Sequence, residues 1–199
     1  TCSDNVILKN CFVEQDWVFD DVVVPSIGDF LSRHESMINL PYTGVYLGLG
    51  FAALTTIKAV VAARHPKGYT QSLAYHPDIR RRIGIMSAEL EAARWLLRHA
   101  AWLADVEGQT AAAQTAFFRA KYVVGEAVSA ATRSALEMGG AHGLFKGSDI
   151  ERLFRDGATA SIMQPSSDLC LGQISLAELE LVPEDVQAPL KGIEAKGHL

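Results

Sequence analysis

Cysteine is scarce in this chain and poorly spaced for any shared task. The three present, Cys2, Cys11 and Cys170, form an odd set without a C-x-x-C pair. That argues against a disulfide framework or a zinc site and suits a reducing, cytoplasmic setting. Charge of one sign is also lacking: a formal net charge of −5 offers no basic surface for nucleic acid. His76, His99 and His142 show no metal-site spacing, and each reads as a packing or surface residue. No signal peptide precedes the first apolar run, no internal repeat is present, and the chain does not begin with Met, as if cut from something longer.

Apolar residues make up 49% of the 199 positions, enough for one domain, or one domain with a piece of another. The segment Gly44 to Ala63 carries a single charge, Lys58, and is long enough to span a bilayer. Its threonines, its glycines and Lys58 weaken a membrane reading, and no flanking charge asymmetry supports one. We read it as a helix buried on all sides, by its own bundle or by an oligomer.

Short β-branched and aromatic runs from residue 5 to 24 (Val6 to Leu8, Phe12-Val13, Trp17 to Phe19, Val22 to Val24) read as strands and turns. A connector of mixed composition follows, with an amphipathic patch from Ile27 to Ile38 that reads as either a short helix or an ordered connector. Three long helical patterns come next. The first stops at His65-Pro66-Lys67-Gly68. The second starts near Asp78, as N-cap or first-turn residue, and repeats Ile79, Ile83, Met86, Leu90, Ala93, Leu97, Ala100 and Ala104 at helical spacing. The third starts near Thr110 and stripes Phe117, Ala120, Val124, Ala127, Ala131, Ala135 and Met138 on one face. Ser148 is expected to cap a fourth helix, which Pro165 ends or kinks. The sum is a mainly α chain: a β remnant over 1–25, a connector over 26–41, an antiparallel four-helix bundle over 42–181 and a polar tail over 182–199.

Between Glu137 and Asp156 runs EMGGAHGLFKGSDIERLFRD. A glycine-rich break interrupts the third helix, and the chain re-enters a helix through the acidic–basic string Glu151 to Asp156. This stretch resembles, without a gap, the signature of the C-terminal helical domain of acyl-CoA dehydrogenases and their flavin-dependent monooxygenase relatives. The resemblance runs from about residue 4 to residue 175, with the N-terminal runs matching the last strands of the family's β-domain. It implies an FAD-dependent oxidoreductase acting on acyl-CoA or a related thioester. It further implies a homo- or hetero-oligomer, a dimer or tetramer, with no nucleic acid and no membrane.

Residue by residue, the family's glutamine and GG-x-G turn, which contact the flavin dinucleotide of the neighbouring subunit, fall on Glu137, Gly140, Ala141 and Gly143. The glycines also suit a plain helix C-cap. Glu137 is a departure, since a carboxylate offers a pyrophosphate no N–H donor. Arg64 stands where the family has a pyrophosphate-binding arginine, and equally suits a cation at a helix C-terminus. Ser166 falls on a flavin-contacting threonine and Asp168 on a polar relative, although Ser166 could simply cap a following helix.

The family's catalytic glutamate falls on Gln164. A neutral amide cannot accept the proton alpha to a thioester, and Pro41 to Ala63 contains no Asp or Glu to substitute. Three readings remain open: a monooxygenase-type relative, which needs no carboxylate base; a silent partner in a hetero-oligomer; or a local shift of register around Pro165. The Arg80-Arg81-Arg82 run reads as a solvated face or a contact for an acidic cofactor. Cys170 reads as a buried thiol.

Overall fold

Thr110 begins the helix on which the rest of the chain is built. The computed structural model describes residues 7–17 and 35–182. The helices are α1 (Glu35–Ala63), α2 (Pro77–Glu107), α3 (Ala111–Gly139), α4 (Asp149–Gly157) and α5 (Ser167–Glu178). A 3-10 turn over Gly140–Leu144 follows α3, and another over Ala158–Ala160 follows α4. The Thr110 hydroxyl accepts from the Ala113 N–H at 3.2 Å, satisfying one of the four amides a helix start leaves open. With so short a link between them, α2 and α3 pack as antiparallel neighbours.

All seven residues of the α3 stripe are buried, from Phe117 to Met138. On α2, Ile79, Met86, Leu90, Ala93 and Ala100 are buried, with Ile83 and Leu97 packed beside them. All but Ala100 meet Leu47, Ala53, Leu54, Ile57 and Val61 of α1 in one core, while Ala100 joins Ala116 and Ala120 in a smaller one. Helix α3 touches α1, α2, α4 and α5, and its alanines keep those neighbours close.

Four expectations need correction. Residues 7–17, the described part of the N-terminal strand expectation, form no strand, only a 3-10 turn at Gln15–Trp17. Residues 7–16 are exposed and meet no partner strand among the described residues, so a ladder has nothing to pair with. The remaining N-terminal runs and the tail from 183 lie outside the described residues. Second, the connector is helical from Glu35, with Pro41 inside α1. Proline removes one ladder bond, but Leu40 packs against the small core of Ala100, Ala116 and Ala120, and packing outweighs local propensity.

Third, α4 ends at Gly157, well before Pro165. Pro165 instead leads into a fifth helix, α5, which Ser166 caps by accepting from the Leu169 N–H at 3.3 Å. Ser148 occupies the N-cap position of α4, but its side chain makes no capping bond. Fourth, of the two covers expected for α1, its own bundle supplies one along a single stripe only, which leaves an oligomer as the cover expected for its other faces. It is long and apolar enough to cross a membrane by length and composition, yet only 33% of that window is buried. Tyr42, Gly44, Val45, Gly48, Thr55 and Lys58 face outward.

Candidate functional site

Two clusters of the expected site residues form at separate points along α3. The first gathers at its C-terminus, where the last carbonyls of a helix lack partners. Arg64, just past the end of α1, donates through Nη1 to the Gly139 main-chain oxygen at 3.1 Å. Gly140 has φ +63, and a Cβ added there would sit 3.3 Å from Arg64 Nη1. Glycine allows both the left-handed turn and the close guanidinium. Arg64 therefore caps the end of α3 rather than of its own helix, and it lies against the glycine turn.

Glu137 lies in the last turn of α3. Its Oε2 accepts from Arg82 Nη1 at 2.6 Å, while Arg82 Nε donates to Asp78 Oδ2 at 2.9 Å. Arg81 also donates to Asp78, at 2.8 Å. These two arginines hold the Asp78 carboxyl below its ordinary range, and Glu137, then Asp78, raise the Arg82 guanidinium. The carboxylate that departs from the family pattern is thus neutralised in place. Asp78 is a first-turn residue, the N-cap of α2 being His76. Of the remaining turn residues, Ala141 is exposed, and Gly143 is buried against Ile150 and Leu136. His142 is exposed, edge-on to Phe145 at 5.4 Å.

The second cluster is the turn joining α4 to α5. Gln164 is exposed there, Pro165 is buried, and Asp168 is exposed in the first turn of α5. While the Ser166 hydroxyl caps α5 it keeps its own proton to donate. Ser167 Oγ donates to Glu126 Oε1 of α3 at 2.6 Å. Glu126 and Gly139 are 13 residues apart on one helix, about 20 Å at 1.5 Å per residue. The two clusters thus lie at opposite stretches of α3, too far apart to touch one small group.

Lys121 was not singled out in the sequence. Its side chain is 2% exposed, and Nζ donates to the Ala160 oxygen at 2.7 Å and the Met163 oxygen at 3.4 Å. The ammonium also lies 5.6 Å from the Tyr46 ring centroid of α1. Burial pulls it below its ordinary range, against the opposing pull of Cys170 and Glu126. Lys121 therefore joins the half-buried Tyr46 of α1 to the turn carrying Gln164. The available signal was a lysine between Ala120 and Val124 on an otherwise apolar stripe. Cys170 is buried, its Sγ 3.6 Å from the Pro165 oxygen.

In chemical terms the chain offers a cation at a left-handed glycine turn, a capping hydroxyl, a neutral amide and an apolar helix face. These fit an extended, anionic dinucleotide: Arg64 and Gly140 suit phosphate oxygens, and Ser166 and Gln164 suit polar ring edges. The arrangement is a wall rather than an enclosed pocket. A cavity of 690 Å³ opens elsewhere, lined by Leu96, His99, Leu103, Thr115, Arg119 and Glu178.

The family model described as the acyl-CoA dehydrogenase C-terminal domain matches residues 44–177. A 3-(aryl)acrylate reductase of Clostridium sporogenes is 30% identical over 121 residues, covering 61% of this chain and 31% of that protein. The structure of a glutaryl-coenzyme A dehydrogenase superimposes with a TM-score of 0.68 at 26% identity, covering 76% of this chain and 36% of that one. A butyryl-CoA dehydrogenase from Megasphaera elsdenii superimposes with a TM-score of 0.65 at 23% identity over 71% of this chain and 36% of that chain, a likeness of fold. The chain spans about a third of the length of these relatives.

Proposed function

The chain belongs to the acyl-CoA dehydrogenase family, as its C-terminal helical domain, and from that premise we propose that it forms one wall of an FAD site. The larger protein is then an oxidoreductase acting on an acyl thioester. The relatives named as a reductase of an aryl acrylate and a dehydrogenase of glutaryl-CoA support that class. When bound, FAD supplies the two-electron acceptor.

The chain's own residues have distinct tasks. Arg64 and the Gly140 turn bind phosphate oxygens, with Arg82 cancelling the charge of Glu137. The Ser166 hydroxyl donates to the cofactor while its lone pair caps α5. The outward face of α1, Tyr42, Val45 and Gly48, is a surface for an acyl chain; Lys121 ties the half-buried Tyr46 of the same helix to the Gln164 turn.

The observation that carries this reading is the meeting of Arg64 with Gly139 and Gly140 across 75 positions. It places the cation and the left-handed turn in one spot. Equilibrium binding of FAD to the full-length protein tests it: micromolar or tighter binding is expected, and absence of FAD binding overturns it.

Gln164 favours a second reading within the same frame. An amide at the position of the base removes proton abstraction by this chain. A subunit that holds cofactor but relies on a partner's carboxylate is consistent with that, and so is chemistry needing no base. Either way, the proposed role of Gln164 is to orient a bound group by hydrogen bonding rather than to move a proton.

A further inference from the structure

Lysine is an expensive way to hold a turn. Burying an ammonium whose hydrogen bonds go to main-chain oxygens rather than to a carboxylate costs more than burying an apolar side chain of equal length. What the ammonium adds is direction, because its donors fix particular carbonyls at particular distances.

The segment from Ala160 to Ser167 is gripped by one seam of α3. Lys121 Nζ bonds the Ala160 and Met163 oxygens. Four residues on, Gly125 has no side chain, and a Cβ there would lie 3.0 Å from the Ala160 oxygen and 3.3 Å from Ser161 Cα. Four further on, Ser129 Oγ bonds Ser161 Oγ at 3.3 Å. Residues 121, 125 and 129 share one helix face. Within the segment, the Ser167 N–H donates to the Ser161 oxygen at 2.8 Å and the Met163 N–H to the Thr159 oxygen at 2.9 Å. Gln164 itself follows directly on Met163, whose carbonyl Lys121 holds.

We propose that Lys121 is a positioning residue, whose ammonium fixes the carbonyls of Ala160 and Met163 and thereby sets the direction in which Gln164 and Ser166 meet the bound cofactor. The proposal rests on the reading that this turn faces FAD. Lys121 does not touch the cofactor; it acts through the turn. Around it stand Tyr46 of α1, Glu126 of its own helix and Cys170 of α5.

The test uses the full-length, FAD-loaded protein with Lys121→Met, Lys121→Arg and Gln164→Glu. Amide hydrogen exchange at Met163 and Ser167 is read beside the visible flavin spectrum. Lys121→Met is expected to speed exchange at those two amides about tenfold and to shift the flavin spectrum, leaving the amides of α2 unchanged. Lys121→Arg, which keeps a cationic donor, is expected to stay within about threefold of wild type. Lys121→Gln, too short to reach both carbonyls, is read in the same way if the methionine variant does not fold. Unchanged exchange in Lys121→Met or Lys121→Gln overturns the proposal. So does a flavin spectrum that moves in Gln164→Glu but not in the Lys121 variant; the cofactor reading then survives. If none of the variants, Gln164→Glu included, moves the spectrum, the cofactor reading itself has failed and the proposal falls with it.

Discussion

Arg64 Nη1 donates to the main-chain oxygen of Gly139 at 3.1 Å, so the end of α1 caps the end of α3. A guanidinium spent only on capping would leave cofactor binding indifferent to its loss. If Arg64 also binds the cofactor as proposed, Arg64→Ala removes a charged donor to phosphate, an interaction of about 1.5–3 kcal/mol. FAD affinity of the full-length protein is therefore expected to fall by about ten- to a hundredfold, with little recovery in Arg64→Lys, which lacks the planar fork. Equilibrium dialysis of the three proteins checks this.

Glu137 places a carboxylate in the last turn before the turn proposed to bind phosphate, offset by Arg82 at 2.6 Å. Glu137→Gln removes the charge and releases Arg82 to act on the same anion. One unit charge at about 4 Å in water is worth roughly 1 kcal/mol, so about fivefold tighter FAD binding is expected. Titrations at low and high salt check it, because the gain should shrink as screening rises.

Burial lowers the proton affinity of Lys121 in the fold, while in the unfolded chain it titrates near the ordinary lysine value of 10.5. Between the folded value and 10.5 the unfolded state holds more protons, so this residue makes stability rise with pH across that window. Below the window the burial cost is felt in full. The thermal midpoint of wild type relative to Lys121→Met is therefore expected to increase from neutral pH toward pH 10. A difference that stays flat contradicts the buried, charged lysine.

Gly125 and Gly172 make a matched pair. A Cβ at Gly125 meets the Ala160 oxygen at 3.0 Å, whereas at Gly172, inside α5, it meets nothing within 4 Å. Gly125→Ala is expected to destabilise by about 1–3 kcal/mol through overpacking. Gly172→Ala is expected to stabilise by about 0.5–1 kcal/mol through helix propensity. Thermal unfolding of both variants reads the opposite signs.

Much of this was legible in the sequence, for a physical reason. Burial along α3 repeats at the helical period, so the stripe from Phe117 to Met138 was visible before any coordinates. The glycine break and the string from Glu151 to Asp156 are local in sequence, and so was the family. Contacts between distant residues were not legible. The Glu137–Arg82 pair spans 55 positions, and nothing near either residue signals the other. Lys121 escaped because lysine counts as a solvated residue in any pattern, although the small and polar positions Gly125 and Ser129 on its face mark a seam. The start of α1 escaped because Pro41 reads as a boundary, and only the packing of Leu40 against Ala100 and Ala116 shows that the helix runs through it.

The most direct measurement is anaerobic mixing of acyl-CoA thioesters with the FAD-loaded full-length protein, comparing wild type with Gln164→Glu by loss of flavin colour. Wild type is expected to bleach slowly or not at all. Supplying a carboxylate at that position is expected to accelerate bleaching by about a hundredfold or more, the usual contribution of a positioned base. Equal rates in the two proteins, both carrying FAD, contradict the placement of Gln164 where the proton-abstracting acid belongs.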